Sequence, residues 1–384
     1  MRIAIDLTSL NDNLSGMERY AMELSKDIIS LYPEHTYILI FKNEIHPFFR
    51  KNSGPLKDST ARLEYKIIKG NRKLIINQLS LPLCLYTIKA DRYLFPAFPS
   101  PLLFRKSNIY NVIFDLTCWD CPDTMKSKAK FFFRCTLRNA VKVSKHIFVI
   151  SHFTKNRVID FFGYPENKLS VIPPRVSENF RAVPQESGSP EVLEKKSKEK
   201  HMLSKKYSIP EEYILCLGTL EPRKNLQLLI KAYKDLCDAG QISTPLVLAG
   251  RTGWKMDEFF EELGLTGKAK DMIHITGFVD DEDLCSLYSS AHYFVFPSLY
   301  EGFGIPPLEA LSVSTAVLSS DAASLPEVLE EEAIYFESNN VQSLKEKLLY
   351  MEENYKTLKP SLNARQIAEY GIAPAKDAAK ALFN

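Results

Sequence analysis

The chain has 384 residues, 45% of them hydrophobic and 25% charged, and its 49 Lys and Arg against 47 Asp and Glu leave a formal charge of +2. This is the composition of a folded globular protein with room for about two domains, which excludes collagenous and disordered classes. No apolar run reaches the roughly 18 residues of a bilayer span, Asp6 interrupts the stretch a signal peptide would need, and seven cysteines read as reduced cytosolic thiols.

Short β-branched or apolar runs alternate with longer stretches of helical period, the pattern of parallel α/β sheets. In the first half, strands are expected at Ile3–Leu7, Tyr37–Phe41, Glu64–Lys69, Tyr93–Phe95, Ile109–Phe114, His146–Ile150 and Leu169–Ile172. Residues 1–175 thus make a first doubly wound, Rossmann-like domain. Pro173-Pro174, the run Gln185-Glu186-Ser187-Gly188-Ser189-Pro190 and the charged segment Glu194–Lys200 mark residues 176–210 as a linker followed by an exposed helix. Strands are expected again at Tyr213–Leu217, Leu246–Ala249, Ile273–Thr276, Tyr293–Phe296, Ala316–Ser319 and Ile334–Phe336. They place a second Rossmann-like domain at residues 211–360, with a C-terminal helix at 361–384 that returns to the first domain. Ligands of such sheets bind outside the carboxyl ends of the strands, so the expected site is a cleft between two facing domains.

The small net charge conceals an asymmetry. Residues 1–180 carry 27 Lys and Arg against 16 Asp and Glu, and residues 181–384 carry 22 against 31. A basic first domain suits an anionic membrane surface or an anionic acceptor, at ~1 kcal/mol per interfacial cation; a solvated basic surface is the plain alternative. No helix-turn-helix, finger or RNA-binding signature accompanies the charge, so no nucleic-acid partner is expected.

The densest chemical signal is Phe296-Pro297-Ser298-Leu299-Tyr300-Glu301-Gly302-Phe303-Gly304-Ile305-Pro306-Pro307-Leu308-Glu309-Ala310. It follows a strand and opens a helix. Gly302 and Gly304 allow close backbone approach, the prolines suit a first helical turn, and the amides of that turn form an anion site. Glu301 in the loop and Glu309 in the first turn both suit sugar hydroxyls, although acids favour helix starts in any case. A second cluster, Leu217-Gly218-Thr219-Leu220-Glu221-Pro222-Arg223-Lys224-Asn225, also lies between strand and helix. Two cations at a helix start oppose its dipole, and an anion held between Arg223 and Lys224 would remove the conflict; a solvated basic pair is the alternative.

With Gly277-Phe278-Val279 and Ser324-Leu325-Pro326-Glu327-Val328, these motifs resemble glycosyltransferase family 4, in the manner of bacterial mannosyltransferases that build surface polysaccharides. The resemblance covers most of residues 213–330, with weaker echoes at Ser15-Gly16-Met17-Glu18-Arg19-Tyr20 and Val149-Ile150-Ser151-His152-Phe153-Thr154. It implies a GT-B fold and retaining, metal-independent transfer of a hexose from a nucleotide-diphosphate sugar to a lipid-linked glycan or polysaccharide. GDP-mannose is the preferred donor and a UDP-sugar the next choice; no cofactor is implied. Glu301 would address the donor sugar and Glu309 the ribose. Arg223 and Lys224 would hold the diphosphate, and Gly218, Gly302, Phe303, Gly304, Ile305 and Leu308 would line the donor site. Gly16, in the loop after the first strand, would line the cleft; the main chain at Phe278 would meet the base. Asp115 and His152 are acceptor-side candidates. The expected location is cytoplasmic, with a peripheral contact to the inner face of the plasma membrane. Phe114 stands where many members carry histidine, Ser314-Thr315-Ala316-Val317 replaces their Gly-Thr-Pro-Val, and Thr219 replaces an arginine. A weak or silent nucleotide-sugar-binding partner of another transferase is therefore the alternative.

Other signals are plainer. Cys118-Trp119-Asp120-Cys121 lacks a second ligand pair for zinc. Asp280-Asp281-Glu282-Asp283 reads as acid before a helix. Lys128–Lys145, with Phe131, Phe132 and Phe133 among cations, fits either a membrane-surface helix or a sheet-covering one.

Overall fold

The computed structural model describes residues 1–11, 14–50, 54–57, 59–177, 180, 190–251, 268–358, 376 and 380–383. They fall into two compact units. One is drawn from Met1–Pro122, Lys126–Pro174 and Tyr370–Asn384, the other from Asp123–Met125 and Arg175–Glu369.

The first unit holds seven strands, β1 (Arg2–Asp6), β2 (Thr36–Lys42), β3 (Arg62–Ile68), β4 (Arg92–Phe95), β5 (Ile109–Ile113), β6 (Ser144–Val149) and β7 (Leu169–Val171). All pairings are parallel, in the order β3-β2-β1-β4-β5-β6-β7. The second unit repeats the plan with β8 (Ile214–Leu217), β9 (Leu246–Ala249), β10 (Ile273–Gly277), β11 (Tyr293–Phe296), β12 (Ala316–Ser320) and β13 (Ala333–Phe336), ordered β10-β9-β8-β11-β12-β13. Every strand expected from the sequence is present, with ends displaced by at most about two residues. In both sheets the winding reverses beside the first strand, between β1 and β4 and between β8 and β11. These are the positions where helices on opposite faces diverge and leave a crevice.

Central strands are buried on both faces, which explains their unbroken apolar runs. One polar exception, Asn111 in β5, is fully buried and satisfied: its carbonyl accepts from the Ser100 amide at 2.7 Å, and its amide donates to the hydroxyls of Ser144 and Ser100. In the second unit Leu226, Leu229 and Ile230 line the inner face of helix Leu226–Asp238, as their spacing requires. Helix Ser127–Val143 covers the sheet with its C-terminal half. Leu137, Ala140 and Val141 are buried, whereas Phe131 is 71% exposed.

Two expectations need correction. Gly16 is not in a loop but is the first residue of helix Gly16–Leu31, which Ser15 caps while its amide donates to the Glu18 carboxylate at 2.8 Å. Residues 176–210 are more than a linker with an exposed helix, because helix Pro190–Tyr207 belongs to the second unit. Its Leu203 is buried, and Lys206 and Tyr207 bind Asp283 at 2.6 Å each. Near the C-terminus, Phe383 packs on Tyr32 and His35 of the first unit, ring centroids 4.3 and 4.5 Å away. Among the described residues no helix is long and apolar enough to cross a membrane.

Asp6, at the end of β1, is buried with Thr8 as its hydrogen-bond partner, and burial raises its pKa to about 6 despite those two bonds. The folded state therefore binds a proton more tightly than the unfolded chain, and stability is lost as pH rises from about 4 to about 6. Asp6→Asn should raise stability at pH 7 by about 1–3 kcal/mol and give no gain near pH 4, measured by urea denaturation at both.

Candidate functional site

The second unit's switch point gathers the two motif loops, because β8 and β11 are hydrogen-bonded neighbours. The loop after β8 winds through a 3-10 turn, Pro222–Lys224, and passes Asn225 in the left-handed region before helix Leu226–Asp238 begins. The loop after β11 ends at Gly304, whose φ is 100° and where an added Cβ would lie 2.6 Å from the Leu325 side chain. Only glycine fits there. Backbone joins the loops directly: the Leu299 amide donates to the Arg223 carbonyl at 2.9 Å.

Four charged groups then interlock. The Arg223 guanidinium donates to the Glu221 carboxylate at 2.7 and 3.1 Å, to Glu301 Oε2 at 2.8 Å and to the Tyr300 carbonyl at 2.7 Å. The Lys224 ammonium donates to Glu301 Oε1 at 2.6 Å and sits 4.7 Å from the Phe296 ring centroid. Glu301 is 7% exposed. Burial alone would raise its pKa, but the charges and hydrogen bonds of Arg223 and Lys224 outweigh it and hold the carboxyl at about 2. Glu301 is thus ionised at neutral pH. Ser324 fixes its loop from behind, its hydroxyl 3.0 Å from the carbonyls of both Glu301 and Phe303.

The sequence placed Arg223 and Lys224 as a pair in need of an anion. Glu301 and Glu221 supply that anion within the chain, so the reading of a solvated basic pair is excluded. Two cations against two carboxylates make the cluster neutral overall, and an incoming phosphate would have to compete with Glu301 for them. Beside the cluster, the Asn225 side-chain nitrogen and the Ser298 hydroxyl are buried with no partner among the described residues. Such groups in a loop crevice are suited to a ligand or water.

Glu309 is the fifth residue of helix Ile305–Ser312, not part of its first turn, where no acid lies. Dipole preference therefore does not explain it. Its carboxylate accepts from the buried Tyr288 hydroxyl at 2.9 Å. The helix start is also poorer in donors than expected, since Pro306 and Pro307 have no amide hydrogen and, of the first three helical positions, leave the Ile305 amide alone outside the intrahelical ladder. Leu308 is otherwise a core residue, 3% exposed.

Sequence reading missed Gly250. Its amide donates to Gly277 at 2.8 Å, and a Cβ there would lie 1.9 Å from the Gly218 carbonyl oxygen, so no other residue fits the edge that Gly218 lines. It also missed Arg251, whose guanidinium lies 4.3 Å from the ring centroid of the exposed Phe278. Phe278 presents a side chain as well as the main chain expected of it. Asp280, Glu282 and Asp283 cluster closely enough to hold a cation, but the Lys206 ammonium already supplies one, 2.9 Å from Asp280 and 2.6 Å from Asp283.

In the first unit Asp115 accepts from the Thr117 amide at 2.9 Å, and Phe114 packs edge-on against Tyr20 at 5.2 Å. His152 is the exposed first residue of helix His152–Phe162, capped by Ser151. Cys118 is buried, and burial pushes its thiol up to about 12, well away from a reactive thiolate.

Residues 198–370 match the family model described as Glycosyl transferases group 1. The chain is 30% identical over 236 residues to O-antigen chain mannosyltransferase B of Escherichia coli, 61% of this chain and 58% of that protein. It is 37% identical over 217 residues to Escherichia coli serotype-specific mannosyltransferase WbdA, 56% of this chain and 25% of that protein. The chain therefore spans less than two thirds of the length of these relatives. Among solved structures it is similar to WaaG, a glycosyltransferase involved in lipopolysaccharide biosynthesis, with a TM-score of 0.68 and 14% identity over 99% of each chain. It is similar as well to Anabaena HepE in complex with UDP and glucose, with a TM-score of 0.66 and 16% identity over 100% of this chain and 99% of that one. At these identities the structural likeness concerns the GT-B fold.

Glu301→Gln leaves two partly buried cations under-compensated and should cost about 3 kcal/mol at pH 7, the low end for a broken buried pair. A carboxylate with a depressed pKa contributes fully above its unfolded value near 4.5 and loses that contribution as pH falls toward about 2. The gap between wild type and variant, read by urea denaturation, should therefore narrow from pH 7 to pH 3.

Proposed function

We propose, on the match of residues 198–370 to the Glycosyl transferases group 1 model, that the chain is a retaining glycosyltransferase that moves mannose from GDP-mannose to a lipid-linked glycan. The observation that carries this reading is the Glu221–Arg223–Glu301–Lys224 cluster at the switch point of the second sheet. The names of the relatives, O-antigen chain and serotype-specific mannosyltransferases, support mannose as the sugar and a surface polysaccharide as the product.

In this reading Glu301 keeps both cations desolvated and aimed before the donor arrives. The donor diphosphate then takes over hydrogen bonds from Arg223 and Lys224, a bidentate fork and a point charge suited to phosphate oxygens. The displaced Glu301 carboxylate, ionised because its pKa is depressed, is left to accept from sugar hydroxyls. As the bond from the anomeric carbon to the phosphate oxygen breaks, negative charge grows on the diphosphate. Fixed cations and the amide of Ile305 stabilise that charge. The acceptor oxygen forms the new bond on the same face, and its proton passes to the departing phosphate oxygen. In this reading no metal ion takes part, and the enzyme works in the cytoplasm, where the nucleotide sugar is available.

Arg223→Ala should lower the rate of mannose transfer about 10²–10³-fold, with circular dichroism confirming the fold. Unchanged turnover would refute the site. GDP-mannose at about 100 times its Kd should stabilise the protein by about 2.7 kcal/mol in a thermal-shift assay. A larger effect from a UDP-sugar would replace the donor.

A further inference from the structure

The first unit has a cavity of about 230 Å³ over its own switch point. Ser9 follows β1, Phe98 follows β4, and Lys42 closes β2, so the cavity lies at the carboxyl edge where this sheet reverses its winding. Doubly wound sheets bind ligands at such crevices. Leu74, Ile76, Phe98 and Phe132 make its walls apolar, whereas Lys42, Lys73 and Ser9 make one set of donors.

Among the described residues those donors are unsatisfied by any acid. The Lys73 ammonium lies over the Phe98 ring, 4.7 Å from the centroid, and the Lys42 ammonium donates to the Asn11 side chain at 3.0 Å. Neither pairs with a carboxylate of a described residue. Ser9 is 5% exposed, lines the cavity, and its hydroxyl has no partner among the described residues. Asp6, behind Thr8, is already engaged by the Thr8 amide and hydroxyl.

The surroundings extend the same chemistry. No Asp or Glu occurs between Glu64 and Asp91 or between Asp123 and Asp160, the segments that supply Lys73, Leu74, Ile76 and Phe132. Helical residues Lys73–Thr87, widened by a π-helical turn at Ile76–Ser80, leave Leu74, Leu79 and Leu83 more than half exposed, and Phe131 lies open on the neighbouring helix. An acid-free, cationic and apolar crevice with an orphaned buried hydroxyl complements one molecule that is both anionic and greasy.

We infer that this crevice binds a lipid phosphate, seating the phosphate against Lys42, Lys73 and Ser9 and the adjoining chain against Leu74, Ile76, Phe98 and Phe132. The inference rests on the transferase reading for its role, since it would make the site the seat of the acceptor's lipid carrier.

The test uses the full chain and calorimetric titration with farnesyl phosphate. Wild type should bind it at least about tenfold more tightly than farnesol or inorganic phosphate. Lys73→Glu and Leu74→Glu, both at exposed positions that tolerate a charge, should each weaken binding about tenfold or more. They should raise KM for a lipid-linked acceptor while leaving transfer to a lipid-free acceptor glycan, and KM for the donor, unchanged. Equal binding by the variants overturns the inference. So does inorganic phosphate binding as tightly as farnesyl phosphate, or phosphatidylglycerol vesicles competing as well as the single lipid, which would make this face a general bilayer contact. Farnesyl phosphate binding without sugar transfer by wild type would leave this site standing and refute the transferase reading instead.

Discussion

The second unit depends on one ionic arrangement. Glu301, almost fully buried, is tolerated because Arg223 and Lys224 meet both of its oxygens, and those partly buried cations are in turn met by Glu301 and Glu221. Removing any member leaves a charge without compensation in low dielectric, which is costlier than never having buried the set. The same contacts hold two loops together across the switch point, so the ionic cluster both shapes the crevice and waits in it. Stability and ligand chemistry thus draw on the same four side chains.

In the proposed reading such a cluster is a pre-organised host for an anion. A bare pair of cations would repel each other and attract water. Held by carboxylates, they keep a fixed geometry, and the cost of binding a phosphate is the displacement of one acid. Ser324, buried behind the loop, and Gly250, pressed against Gly218, add rigidity to the backbone without touching the charges. Both are supporting parts that no charge-based search would single out.

The two sheets use their reversal points differently. In the second unit the crevice is polar and internally neutralised; in the first it is apolar, with lysines that lack a carboxylate partner among the described residues. Related architecture with opposite chemistry follows from composition, because the first half carries the surplus of cations and the second the surplus of acids. The sheet topology sets where a ligand can sit, and the loop side chains set which ligand it is.

All thirteen strands were legible in the order of residues, since a strand buried on both faces needs an unbroken apolar run and a parallel sheet needs helices between the runs. The motif loops were legible as well, because glycines and prolines between a strand and a helix have few other uses. Three things were not legible. The helical position of Glu309 depended on where a helix began, which local signals define only to a few residues. Attachment of helix Pro190–Tyr207 to the second unit depended on Lys206 and Tyr207 reaching acids more than seventy residues away. The partner of Arg223 and Lys224 was read as an outside anion, and only the tertiary structure, by making neighbours of strands that carry residues 78 apart, decided that it is Glu301. Periodicity and turn chemistry are properties of consecutive residues and survive in a string of letters. Which charge meets which, and which cavity remains open, is decided by strand order, and strand order is a property of the folded chain alone.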